Sequence, residues 1–175
     1  MNNKIENILI KDKKVFEEIC LKLDEVGYVK LASNTSLTEE MINIIFEKNI
    51  PNANINLLRN SKCPKIKLDF YIKEDDKVYN IAMAHNENLD EHQFNKLYHH
   101  RDFDVNISLA QNINTPIKIL KQLVILNNKY INEALCTNVN IPINTLRQFQ
   151  YDEQLKPILL KNKTFKEFID NEYKI

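Results

Sequence analysis

Apolar and polar positions along this chain recur with two periods: a helical one within segments, and one of 26 residues between them. A unit repeating at fixed spacing sets the architecture before any motif does, so the longer period is read first. Asn34, Asn60, Asn86, Asn112 and Asn138 each stand 26 residues from the next. Three residues before each asparagine is Leu31, Leu57, Met83, Leu109 or Leu135, and two before it Ala32, Leu58, Ala84, Ala110 or Cys136. Eight residues after it comes Ile42, Leu68, Phe94, Leu120 or Leu146, and eleven after it Ile45, Tyr71, Leu97, Leu123 or Phe149. Apolar positions three apart lie on one face of a helix. Each unit therefore predicts a short helix ending at a Leu-Ala-x-Asn segment, a tight Asn-x-Asn corner, and a longer helix.

Two further columns mark the turns: Asn54, Asn80, Asn106 and Asn132, then Asn88, Asn114 and Asn140. Pro64, Pro116 and Pro142 stand four residues past the key asparagine, where a missing N–H suits the first helical turn. Thr115 is the expected N-cap before Pro116, and Thr38 and Asp90 serve where proline is absent, with Glu39, Glu40 and Glu91 placed well against the helix dipole. Such a unit cannot bury its apolar face alone, so neighbours stack and the stack needs caps. Residues 14–26, with Val15, Phe16, Ile19, Cys20, Leu23 and Val26 at helical spacing, predict an amino-terminal capping helix. After Pro157 another unit begins at Leu159-Leu160-Lys161-Asn162, but Asn162 follows Asn138 by 24 residues and the helix through Phe165, Phe168 and Ile169 reads as cut short. The expectation is an all-α fold, an α-solenoid of about five repeats in a single domain over 1–175, with a cap at 1–28, repeats over 29–156 and a degenerate closing repeat at 157–175.

Composition narrows the chemistry. The single glycine, Gly27, argues against phosphate-cradling loops and dinucleotide folds, which need glycine at positive φ or close approach. Lys plus Arg and Asp plus Glu are 24 each, so no net field favours nucleic acid or an anionic membrane. Cys20, Cys63 and Cys136 are isolated in apolar surroundings, which predicts free buried thiols in a reducing compartment, neither a disulfide framework nor a zinc site. The segment Met1-Asn2-Asn3-Lys4-Ile5-Glu6-Asn7 lacks the basic-then-apolar order of a secretion signal, and no apolar run approaches the ~20 residues of a membrane span. A cytoplasmic chain without membrane contact is the expectation.

The segment Val105-Asn106-Ile107-Ser108-Leu109-Ala110-Gln111-Asn112-Ile113-Asn114-Thr115-Pro116, followed by Ile119-Leu120 and Leu123, resembles the leucine-rich repeat variant family. The resemblance covers roughly residues 28–165 and is strongest in the fourth and fifth units. It implies a right-handed superhelix of paired helices, one of each pair often short or 3₁₀-like. The sequence departs from the family pattern where the family's arginine is the asparagine column at 54, 80, 106 and 132, and where the proline after the key asparagine is Ile113 or Val139. Some family members carry a cysteine-ligated iron–sulfur cluster, and no cysteine group here matches it, so no cofactor is expected. HEAT-like helical repeats are the wider likeness and imply a similar shape.

The asparagine columns read as corner pieces, because Asn satisfies exposed backbone groups at helix ends and tolerates left-handed conformations. All four histidines, His85, His92, His99 and His100, fall in or just after the third unit, and His92 and His99, seven apart, share a face if one helix holds both. A metal site would need tighter spacing or a third ligand, so none is expected. Six and nine residues past each key asparagine stand Glu40 and Asn43, Ile66 and Asp69, His92 and Asn95, Lys118 and Lys121, then Asn144 and Arg147, a stripe grading from acidic to basic. His92, Asn95, Lys118, Lys121 and Arg147 are its candidate partner-binding residues, with the short-helix face carrying Lys30, Asn56 and Ser108 as the other surface. No nucleophile–base pair, carboxylate pair or ligand cluster has diagnostic spacing. His100-Arg101-Asp102 copies a kinase loop without its companion motifs, and Glu74-Asp75-Asp76 reads as a helix end entering a turn. A non-catalytic scaffold or adaptor for a protein partner is the leading expectation. The alternative is a nucleic-acid-binding repeat using Lys118, Lys121, Arg147, Lys156, Lys161 and Lys163, diluted by Asp152, Glu153 and Glu167.

Overall fold

The computed structural model describes residues 2–172, with side chains from Ile5 onward; Met1 of the amino-terminal cap and the last three positions of the closing segment lie outside the described residues. All regular elements among the described residues are helical. The chain divides into two compact units, Met1–Leu89 and Asp90–Ile175. The first contains a 3₁₀ segment Asn2–Asn7 followed by α1 (Lys13–Cys20), α2 (Glu25–Leu31), α3 (Glu39–Phe46), α4 (Pro51–Arg59), α5 (Lys65–Glu74) and α6 (Lys77–Ala84). The second contains α7 (Glu91–His99), α8 (Phe103–Gln111), α9 (Ile117–Ile125), α10 (Lys129–Thr137), α11 (Ile143–Leu146) continuing as a 3₁₀ turn Arg147–Phe149, α12 (Lys156–Leu159) and α13 (Lys163–Glu172). In the first unit α2, α4 and α6 pack in succession, and in the second α8, α10 and α12 do the same. Each of α3, α5, α7 and α9 packs against the helix that follows it.

The apolar columns form the core. Leu31, Leu57, Met83, Leu109 and Leu135 are fully buried, as are Ala32, Leu58, Ala84, Ala110 and Cys136 behind them. From the second helices Ile42, Leu68, Phe94, Leu120 and Leu146 meet them, with Ile45, Leu97 and Leu123 one turn on. Some details differ from the sequence reading. The paired helices are nearly equal in length, nine residues each in α8, α9 and α10, because α4, α8 and α10 begin at the corner rather than one turn inside it. The amino-terminal cap is two helices: α1 ends at Cys20, and Val26 belongs to α2, where it is exposed. The closing helix α13 runs ten residues and is not cut short.

Corners are built at fixed register. Positive φ occurs at Asn49, Asp75, Arg101 and Asn127, again 26 residues apart. The next residue caps the following helix: Asp76 Oδ1 accepts from Val78 and Tyr79, Asp102 Oδ1 from Asp104 and Val105, and Asn128 Oδ1 from Tyr130 and Ile131. At the fourth corner Pro51 starts α4, where its lack of an N–H costs nothing. Both Glu74-Asp75-Asp76 and His100-Arg101-Asp102 are such corners. Thr38 and Asp90 cap α3 and α7, the latter in a reciprocal box with Gln93. Thr115 does not cap α9; Pro116 occupies the N-cap, and the buried Thr115 hydroxyl donates to the Leu109 carbonyl at 2.6 Å.

The key asparagines are not left-handed. Asn60, Asn112 and Asn138 sit in extended backbone at ψ 127, 119 and 119°. Their side chains bridge successive units. Asn60 Nδ2 donates to the Ala32 and Asn34 carbonyls at 3.2 and 3.0 Å, and Asn86 Nδ2 to those of Leu58 and Asn60 at 2.8 and 2.9 Å. In the second unit Asn138 Nδ2 reaches Ala110 and Asn112, and Asn162 Nδ2 reaches Cys136 and Asn138, all at 2.9–3.0 Å. The first rung starts on the 3₁₀ segment, where Asn34 Nδ2 donates to Ile5 and Ile8. Each Oδ1 accepts a nearby amide: Ser36, Lys62, Asn88, Asn114 and Asn140 two residues on, and Phe165 for Asn162. The accepting carbonyls lie at or beside helix carboxyl ends, which have no partner within their own helix.

This geometry separates two substitutions at a residue only 1% exposed. Asn138→Ala removes both donors and the acceptor and should cost about 1–3 kcal/mol, the range for stranding buried polar groups. Asn138→Asp keeps the shape and Oδ1 but turns a carboxylate oxygen toward two carbonyls, and should cost more than alanine does. Urea unfolding midpoints of the two variants test the order; equal midpoints, or a milder aspartate, would show that the donors do not matter.

Candidate functional site

The stripe of the second helices is carried in the second unit by α7, α9 and the α11 junction. His92, Lys118, Lys121 and Arg147 are exposed and Asn95 is half-buried. Lys118 and Lys121, three apart, lie on one face of α9. The Arg147 guanidinium carbon lies over the Phe168 ring, 5.4 Å from its centroid, a cation–π contact. The Asn95 amide donates to the Glu91 carbonyl of its own helix at 2.7 Å, an exposed bond along the helix surface. In the first unit the same repeat position carries Glu40, which accepts from Lys13 Nζ at 2.6 Å with both side chains more than half exposed. Such exposed pairs add little stability.

His92 and His99 lie on α7 and His100 caps its end, while His85 caps α6 in the first unit. His99 Nδ1 lies 2.6 Å from the Asn95 carbonyl, so one ring nitrogen is spent on its own helix. Among the described residues no three histidine, cysteine or acidic side chains gather around a common point.

Two of the three residues named for the other face are structural. Asn56 Nδ2 donates to the Val29 carbonyl at 2.8 Å, and the Ser108 hydroxyl, buried, donates to Asp104 at 3.0 Å. What that face presents instead is the residue before each key asparagine. In the first unit Arg59 and His85 line a polar cleft of about 310 Å³ together with Ser33, Thr35, Ser61 and Glu87. In the second, Gln111, Thr137 and Lys161 line another of about 410 Å³ with Tyr130, Glu133 and Ile158. The sequence carried the period of this column but no shared residue type, so it passed unread.

Burial holds the imidazole of His85 below its ordinary value of 6.5, and the Arg59 charge lowers it further. Burial pushes the Cys63 and Cys136 thiols up to about 12 and raises Cys20. None of the three thiols is activated as a nucleophile. No described helix is long and apolar enough to cross a membrane. Comparisons with protein-family models, with curated proteins and with solved structures return no match. Fold and surface together define an all-helical protein with repeated corners.

The His85 assignment has a signed consequence. A histidine whose folded pKa is depressed adds full stability above its unfolded value, and that share is lost as pH falls from 6.5 toward the folded value. Arg59→Gln should raise the His85 midpoint without carrying it above 6.5, because burial remains the larger cause. Titration of the His85 ring protons by NMR reads both. A wild-type midpoint at or above 6.5 would contradict the depression.

Proposed function

We propose that the chain is a non-catalytic binding scaffold whose two units are successive stretches of one right-handed α-solenoid, as the likeness to the leucine-rich repeat variant family implies. The unbroken 26-residue period through Asn86 and Asn112 supports the continuity. The face of the second helices takes the partner, a protein with an acidic surface. The observation that carries this reading is a division of labour. Corner asparagines and first-helix side chains are consumed in holding repeats together. Lys118 and Lys121, by contrast, are exposed, and among the described residues they take part in no ion pair. Repeated exposed side chains on a stiff support suit the recognition of an extended partner surface.

The test is affinity capture from the native host with partner identification, followed by Lys118→Glu with Lys121→Glu. Binding to the captured acidic protein should fall, and the loss should shrink at high salt because exposed charges are screened within about 10 Å at 0.1 M. Stability should change by less than about 0.5 kcal/mol. Undiminished binding by the folded double variant would remove the face from the reading, and tight low-salt retention of the wild type on duplex DNA would favour nucleic acid instead.

A further inference from the structure

One corner departs from the rest at two positions. The left-handed residue is Asn49, Asp75 or Asn127 at three corners but Arg101 at the fourth, where φ is 55°. Asn and Asp tolerate that region, and a long cation gains nothing from it. Five residues on stands the buried asparagine column, and at the other three corners its amide finds an acceptor. Asn80 Nδ2 donates to Asp75 Oδ1 at 3.1 Å and Asn132 Nδ2 to Asn127 Oδ1 at 3.5 Å, while Asn54 Nδ2 uses the Tyr71 hydroxyl at 3.2 Å. At Asn106 both kinds of acceptor are gone, since Arg101 stands where the other corners have Asp75 or Asn127, and Leu123 stands where Tyr71 does relative to Asn54. Asn106 is 5% exposed; its Oδ1 is buried without a partner like those of Asn54, Asn80 and Asn132, and what sets it apart is that its amide has none of their acceptors.

That carboxamide lines an open cleft of about 500 Å³ within the second unit. Tyr98, Phe103, Leu126 and Ile131 make its apolar wall, and Arg101, exposed, stands at its edge. Asn128 also borders it, but its side-chain oxygen is already spent capping α10. Among the described residues Arg101 makes no ion pair. The Asn106 oxygen is closed off from solvent, so the cleft offers the N–H donors of its amide, an apolar slot, and a cation that donates to a carboxylate in a two-pronged grip. A peptide unit carries a strong carbonyl acceptor, which such an amide can meet. We propose that this cleft binds an extended acidic peptide segment of a partner protein. A peptide carbonyl accepts from the Asn106 amide, an apolar side chain lies against Phe103 and Leu126, and the adjacent Glu or Asp carboxylate reaches Arg101. This site is separate from the second-helix face and does not rest on it.

The full chain, labelled with ¹⁵N, is titrated with the tripeptide amide acetyl-Leu-Glu-Leu-NH₂ and with its glutamine counterpart. Shifts should localise to Tyr98, Arg101, Phe103 and the Asn106 side-chain amide, with the glutamine peptide bound about tenfold more weakly, as loss of one charge-assisted contact predicts. Two variants separate binding from folding. Arg101→Asn restores the residue type of the other corners, so its melting midpoint should rise while tripeptide binding drops about tenfold. Asn106→Leu keeps the side-chain size, should fold at least as well, and should also lose the peptide. A wild-type spectrum unmoved at about 10 mM glutamate peptide, a millimolar limit well above a two-point contact, would overturn the proposal. So would either folded variant binding like the wild type.

Discussion

The fold depends on one bidentate contact: a buried carboxamide whose two N–H groups join a helix end and a corner carbonyl of the unit before it. The spacing between donor and acceptors is 26 and 28 residues at Asn60, Asn86 and Asn138. Apolar packing alone would leave the rotation between neighbouring helix pairs soft, since hydrophobic attraction has no direction. A hydrogen-bonded carboxamide has both direction and register, and it satisfies carbonyls that a helix cannot satisfy within itself. Asn162 holds the same two contacts although it lies 24 residues from Asn138, because α12 is shortened to four residues and the deletion falls outside the rung.

Corners of this kind also explain how a chain of 175 residues manages with one glycine. Reversal of direction is done by Asn49, Asp75, Arg101 and Asn127 at positive φ, and the residue after each of the last three caps the next helix. Gly27 is needed for a different reason: a Cβ there would meet Leu23 Cδ2 at 2.7 Å, so it permits close approach of α2 to the turn after α1. Turn chemistry that needs Asn or Asp is compatible with helix capping in a way that glycine turns are not, because one side chain can accept from the following amides.

How much of this the sequence shows depends on where the partner of each residue lies. The apolar columns were legible because helical spacing and the long period both act on residue type, and the buried leucines and alanines occupy those positions. The asparagine column was equally visible, but its meaning was not. Asn suits a left-handed turn as well as an inter-repeat bridge, and only the carbonyls of Ala110 and Asn112, far away in sequence, distinguish the two for Asn138. The true left-handed positions escaped because Asn, Asp, Arg and Asn share a backbone state and no single side-chain chemistry. The cleft at Arg101 escaped for the same reason: it is defined by what is missing beside Asn106, and an absence has no signature in one repeat read alone.

The second asparagine column raises a different question, since Asn54, Asn80, Asn106 and Asn132 each bury an oxygen without a hydrogen-bond partner. Such atoms cost stability, and an apolar side chain of equal size would avoid the cost. Their repetition at one register follows from what their nitrogens do. Where Asp75 or Asn127 stands at the corner, the amide tethers the left-handed residue to the start of the helix it precedes, so part of the burial cost is returned as a fixed corner. A slip of one residue along the helix would put an apolar side chain against that corner and the amide into the core. A buried polar column of this kind can favour one register over its neighbours. At Arg101 the tether is absent while the asparagine remains, and the Asn106 amide is left at the border of an open cleft without the acceptor its counterparts have.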